Sequence, residues 1–320
     1  MQNMFNSEEL QLLKNLKEKY ASNESEFKNQ LEALFYNKGV DYWEYIQLDA
    51  LLGIQHCKTE IDDEIIFIVY HQICELYFKL IRHEINLLTD PERKEYLEAN
   101  NWMKRIGRLV NYIAKLTHSF DIMSPGERDS GQQYFSTEEF SKFRLNLMPA
   151  SGFQTISMRK IEIMSTGLKN LVKANNREQQ SQFGLEELYQ NLYWKEGGHL
   201  MQEDGRLVKT KTLIAFEKKY NQELLEFAQK FENRNLEYIF FKLTLDSTDE
   251  SGQLEAIRSS EQIKTLLKTY DKALNVDWKQ NHFNIIKKHM PDSKHGTGGT
   301  NWKKFLPPAN QQIRYFPELL

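Results

Sequence analysis

The sequence predicts an all-α protein, a multi-helix bundle with one small β-hairpin. Seven prolines, at 91, 125, 149, 291, 307, 308 and 317, all fall where helical periodicity breaks. Between them run long proline-free intervals with apolar residues spaced i, i+3, i+4, the pattern of helices with one buried face. The one stretch that reads otherwise is HLMQEDGRLVKTKT, where Asp204-Gly205 separates two short alternating runs and signals a hairpin near residues 200–212.

Helices are expected over about 7–36, 42–53, 62–88, 92–120, 137–147, 152–173, 184–195, 213–233, 253–271 and 271–290. The 62–88 segment opens on Asp62-Asp63-Glu64, acids that suit the positive end of a helix dipole. Within it, Ile66, Val69, Ile73, Leu76, Tyr77 and Leu80 form a broad apolar face, and Phe67, His71, Cys74 and Phe78 a narrower one. The helix is therefore expected to be buried on two sides, with His71 on the lesser side. Polar connections are expected at 124–136 and 173–182, and there is no internal repeat.

A chain of 320 residues, 40% of them hydrophobic, can bury a sizeable core. It is expected to form a single domain over 1–320, with an N-terminal helical arm of about 1–40 and a helical insertion of about 176–270. A net charge of −3 with Lys and Glu interspersed leaves no basic surface, which argues against nucleic acid as a partner. The opening MQNMFNSEEL has neither a basic region nor an apolar run of signal-peptide type, and no apolar stretch reaches membrane-span length; a cytoplasmic location away from the membrane is expected. Two cysteines, Cys57 and Cys74, with no CxxC or CxxCH, argue against a zinc ribbon and against covalently attached haem.

Four stretches can carry chemistry. His71, in an apolar helix, is either a hydrogen-bonded core histidine or an acid, base or hydrogen-bonding group facing a ligand. In WKQNHFNIIKKHM, His282 projects from the same face as Trp278, Ile285 and His289. One imidazole in an apolar pocket is what non-covalent haem binding requires, and a structural histidine is the alternative. HGTGGTNW concentrates three glycines in four positions, 296 to 299, which suits positive φ or close approach of a ligand to backbone; the alternative is a linker. In FSKFRLNLMPASGFQT, Arg144 sits among phenylalanines, where a guanidinium calls for a carboxylate, from the chain's own acids or from a ligand.

Taken in order, YWEYIQLDALL from Tyr42, DDEIIFIVYHQICELYFKL, FRLNLMPASGFQ, NHFNII and GTGGTNWKKFLPPANQQIRYFPELL resemble the tryptophan 2,3-dioxygenase family nearly end to end, and most closely its bacterial branch. The resemblance implies an α-helical haem b enzyme that opens the indole ring of L-tryptophan with O2 to give N-formyl-L-kynurenine, assembled as a homotetramer. Carried over residue by residue, His282 is the axial ligand of the haem iron and His71 the group that hydrogen-bonds the substrate indole N–H. Phe67 packs on the substrate ring, Arg144 pairs with its carboxylate, and Thr297 binds its ammonium and carboxylate. Tyr42, Tyr45 and Ile46 match a segment that closes the pocket of a neighbouring subunit, and Phe120 and Gly298 fall on the cofactor side. The chain departs from its relatives in three places: Phe140 stands where many have a tyrosine, Phe120 where a tryptophan lines the haem, and the 124–136 loop is longer. The interval from His282 to Gly296 is also about one residue longer than in some relatives, which makes His289 a minor rival for the ligand role. The alternatives are a related haem enzyme acting on another aromatic amino acid or indole derivative, a non-catalytic haem sensor or carrier, and a helical scaffold without a cofactor.

Overall fold

A computed structural model describes residues 5–20, 24–37, 39–93, 95–125, 135–147, 155–173, 182–202, 204–245, 249–290, 296, 301–311 and 313–319. Thr297, Gly298 and residues 126–134 of the polar loop lie outside these. Backbone contacts divide the chain into two compact units, residues 1–56 and 57–320.

The first unit is helical but has little interior. Its first helix, Ser7–Lys19, opens on a capping box in which Asn6 and Glu9 satisfy each other's backbone N–H groups. A second helix covers Glu24–Tyr36, so the single element expected over 7–36 is two. The helix expected over 42–53 is likewise two short turns, Tyr42–Tyr45 and Leu48–Leu52, because Gln47 takes a left-handed conformation with φ 54° between them. None of the residues in the 7–19, 42–45 and 48–52 helices is buried, and Phe35, Tyr36, Tyr42, Trp43, Tyr45 and Leu52 are all exposed.

The second unit is organised around the helix Glu64–Thr89. Its start is fixed by acids: Glu64 accepts hydrogen bonds from the backbone N–H of Lys58 and Thr59 and from the Thr59 hydroxyl, which hold its carboxyl below the ordinary range although burial acts the other way. Asp63 accepts from the Ser136 N–H at 2.6 Å and donates its own N–H to Glu139 at 3.3 Å. That reciprocal pair brings the helix Thr137–Phe143, which the 3-10 turn Arg144–Leu147 follows, against Phe67.

The expected order of burial along 64–89 is reversed. Tyr70, Cys74, Phe78, Ile81, Ile85 and Leu88 are buried, so the narrower face is the inner one; Val69, Leu76 and Leu80 of the broader face remain 38%, 49% and 43% exposed. The inner face meets the helix Ala99–His118, whose Trp102, Ile106, Leu109, Ile113 and Leu116 recur every three or four residues and are fully covered. Each such side chain contributes about 1.5–3 kcal/mol by burial. Arg105 and Arg108 close the edge of this pair on Glu84.

The remaining helices complete the core: Ile156–Ser165 packs on 64–89 and on Lys211–Phe231, and Asp249–Ser259 and Glu261–Lys272 pack on 99–118. The Ser260 hydroxyl caps the last of these by accepting the Ile263 N–H, which splits the helix expected over 253–271. A π-helix, Ala273–Trp278, then leads into the helix Lys279–His289. Leu185–Gln190 and Tyr193–Glu196 are short turns, and the expected hairpin is present as strands His199–Met201 and Leu207–Lys209, turned by Gly205 at φ 80°.

Candidate active site

The second unit brings His71, Phe67, Arg144, Phe140, Phe120 and His282 into one aromatic region. Phe67 and His71, one turn apart on the 64–89 helix, stack with ring centres 4.1 Å apart. Phe140 and Phe143 meet Phe67 at 6.0 and 5.5 Å. Tyr70 links His71 to Phe120, and Phe120 lies 6.0 Å from the His282 ring at an interplanar angle of 23°. Trp278, one turn before His282, covers the imidazole more nearly parallel, at 5.7 Å and 15°.

The two histidines have complementary states. His71 Nδ1 lies 2.7 Å from the Phe67 carbonyl oxygen, which can only accept, so Nδ1 carries the proton and Nε2 keeps its lone pair. Burial lowers its pKa and keeps the ring neutral. His282 makes no hydrogen bond with another described residue, and burial, aided by the nearby His71 imidazole, pushes its pKa down to about 4. A neutral, unengaged imidazole is the form that ligates iron. The indole N–H of Trp278 beside it is buried and also without a partner among the described residues. Aromatic walls, with an imidazole and an indole donor that no described residue engages, fit a haem better than a closed apolar core, which leaves such groups bonded.

His289 is the opposite case. Its Nε2 donates to the Met123 carbonyl at 2.7 Å and its Nδ1 accepts from the Thr137 hydroxyl at 3.1 Å, so neither nitrogen is left for a metal. Phe135 and Phe140 enclose the ring.

Arg144 is half-buried, and among the described residues its guanidinium meets no carboxylate; Nη1 lies 2.7 Å from the Met290 sulfur. Among the described residues the charge thus has no counter-ion of its own. Phe140 meets the rings of Phe67, Phe135, Phe143 and His289. Tyr42, Tyr45 and Ile46 belong to the first unit, where both tyrosines are exposed. Sequence reasoning missed Tyr70 and Met290. Tyr70 adjoins His71 and shares a hydrogen bond with Cys74, whose thiol burial raises to about 11. Met290 precedes Pro291 at a helix end and carries no signature of its own.

Residues 28–256 match the family described as Tryptophan 2,3-dioxygenase. The chain is 26% identical over 291 residues to the tryptophan 2,3-dioxygenase of Bacillus thuringiensis subsp. konkukian (strain 97-27), covering 89% of this chain and 92% of that one. It is 25% identical over 292 residues to that of Shewanella woodyi, covering 89% and 90%. A shorter match, 35% identical over 133 residues, joins 40% of this chain to 35% of the tryptophan 2,3-dioxygenase of Alteromonas mediterranea.

Proposed function

The chain belongs to the tryptophan 2,3-dioxygenase family, and from that premise we propose that it opens the indole ring of L-tryptophan with O2, giving N-formyl-L-kynurenine. The observation that carries the reading is the pair of imidazoles in one aromatic region, His282 without a hydrogen bond to another described residue and His71 with only its Nδ1 committed, to the Phe67 carbonyl, among the described residues.

His282, flanked by Phe120 and Trp278, is the residue to hold haem b through its iron, with Gly298 on the cofactor side. Bound haem iron supplies the oxygen chemistry, which no side chain can provide. The chain's own residues bind and orient. His71 accepts the indole N–H at Nε2, since its other nitrogen is committed to Phe67. Indole N–H is a weak acid, so this contact orients the ring before it moves any proton. Phe67 and Phe140 pack on the indole, and their rings exclude water from it. Arg144 pairs with the substrate carboxylate, and Thr297 shares that group and the ammonium.

The exposed aromatic residues of the first unit support a further part of this reading: Tyr42, Tyr45 and Ile46 act on the pocket of a neighbouring copy within a homotetramer, with residues 1–40 as the reaching arm and 176–270 as a helical insertion. Among the described residues no helix is long and apolar enough to cross a membrane, and the reading places the enzyme in the cytoplasm.

The test is reconstitution with haem, anaerobic reduction, then addition of L-tryptophan and O2. The absorbance of N-formylkynurenine should appear. A haem-loaded protein that leaves L-tryptophan unchanged but turns over another indole or aromatic amino acid would replace the substrate, and Phe140, which lacks a hydroxyl, is where the difference would arise.

A further inference from the structure

Beside the pocket lies a second group of polar residues that ligand binding does not use. Lys279, at the first turn of the 279–289 helix, is buried, as are Asn275, Asp271, Arg159, Glu162 and Tyr193. Lys279 Nζ donates to Asn275 Oδ1 at 2.9 Å, and Asn275 Nδ2 donates to Asp271 Oδ1 at 2.7 Å. The other Asp271 oxygen accepts the backbone N–H groups of Tyr315 and Phe316 at 2.9 and 3.3 Å. These three residues therefore form a ladder that bridges the π-helix 273–278 from one end to the other and ties it to the C-terminal segment.

On its other side Lys279 reaches the Tyr193 hydroxyl at 3.2 Å and the Glu162 carboxylate at 3.9 Å. Tyr193 donates to Glu162 at 2.5 Å, and Arg159 Nη1 donates to Glu162 and Tyr193 at 2.9 and 3.0 Å. Two cations and two carboxylates are thus enclosed where apolar side chains of similar volume would serve stability as well or better. Stability alone is a weak reason for such a group. Its place does: Lys279 is one residue after Trp278 and three before His282, at the end of a π turn, a rare element that is frequent at functional sites.

We propose that Lys279, held by the Asp271–Asn275 ladder and by Tyr193 and Glu162, is a positioning residue for His282. It sets the register in which the 279–289 helix leaves the π turn, and so the direction in which the imidazole points. His282 has no hydrogen bond of its own among the described residues, so its orientation depends on where its helix is placed and on the rings beside it. At the far end of the same helix the His289 bonds to Met123 and Thr137 fix the other terminus. The helix is held near both ends by buried polar contacts, with His282 and its flanking rings between them. This inference rests on the reading of His282 as the haem ligand.

The experiment titrates haem-free protein with haem and records the ferrous spectrum, alongside the thermal unfolding of the haem-free form. Lys279→Met should fold with Glu162 still paired to Arg159, bind haem about 10–100-fold more weakly and shift the ferrous absorption, the range expected for residues that orient a metal ligand. Tyr193→Phe removes only the shared hydroxyl and should move both readouts less, in the same direction; it decides the matter if Lys279→Met does not fold. Lys279→Arg should recover part of the loss. Variants that bind haem as tightly as wild type, with the same spectrum and only a changed unfolding temperature, would overturn the positioning role and leave the function standing. A wild-type protein that takes up no haem would overturn the function and this inference together.

Discussion

Two histidines seven residues apart on one helix have opposite surroundings. His289 is enclosed by Phe135 and Phe140, and both its nitrogens are spent on Met123 and Thr137; His282 has rings on its flanks and no hydrogen bond to another described residue. Both are kept neutral by burial. The two rings are thus separated by hydrogen bonding and not by burial: the capacity of His289 is used up, and the proposed ligand role of His282 rests on capacity held in reserve. Arg144 is a charged instance of the same reserve, a half-buried guanidinium that touches a thioether and, among the described residues, no acid.

The contrast breaks most sharply at the ligand. His282→Ala should abolish stable haem loading, whereas His289→Ala should retain the wild-type haem spectrum; the reverse pattern would transfer the iron to His289. The second half of the contrast is energetic. His289→Ala leaves the Met123 carbonyl and the Thr137 hydroxyl without partners and should lower the unfolding free energy by about 2–3 kcal/mol in denaturant titration. His71→Ala should keep the haem and slow turnover by a factor equivalent to about 1–3 kcal/mol, because its bond orients the indole without making or breaking a covalent link. Unchanged turnover and unchanged tryptophan affinity would make His71 a core histidine like His289.

The smallest effect is in pH. His282 is pushed down from its ordinary 6.5 to about 4, and His71 and His289 are also lowered, all chiefly by burial. The unfolded chain takes up protons at these three sites near 6.5 and the folded chain does not, so their contribution to stability is full above that pH and is lost as pH falls toward 4. Urea unfolding of the haem-free protein should show lower stability at pH 5 than at pH 7.5, other conditions being equal; a flat profile would mean the imidazoles are hydrated.

Much of the fold was legible because its punctuation is local. Proline spacing and i, i+4 apolar residues place the 64–89 helix within two residues, and Asp204-Gly205 marks the hairpin whose turn requires Gly205 at positive φ. Less legible was whatever depends on distant partners. Periodicity shows which residues are apolar but not which are covered, so the inner face of the 64–89 helix reads as the lesser one. The break at Gln47 has no glycine to announce it, and the π turn at 273–278 has no composition of its own. The candidate site divides the same way. His71, Arg144 and His282 stand out as polar residues in apolar helices, but the bonds that separate His289 from His282 cross 166 and 152 residues of chain and leave no mark near position 289.

The claim that unspent groups mark the ligand's position is tested most directly at Arg144. L-tryptophan and tryptamine share the indole and the amine and differ in the carboxylate, so their affinities for the ferrous haem protein isolate the carboxylate's contacts, and comparison with Arg144→Ala isolates the guanidinium's share. A charge-assisted pair in this partly dry setting is worth about 1.5–3 kcal/mol. Wild type should therefore bind L-tryptophan roughly 10–100-fold more tightly than tryptamine, and Arg144→Ala should remove most of that gap by weakening tryptophan alone. Equal affinity of the two ligands for wild type, or a gap that survives Arg144→Ala, would contradict the account.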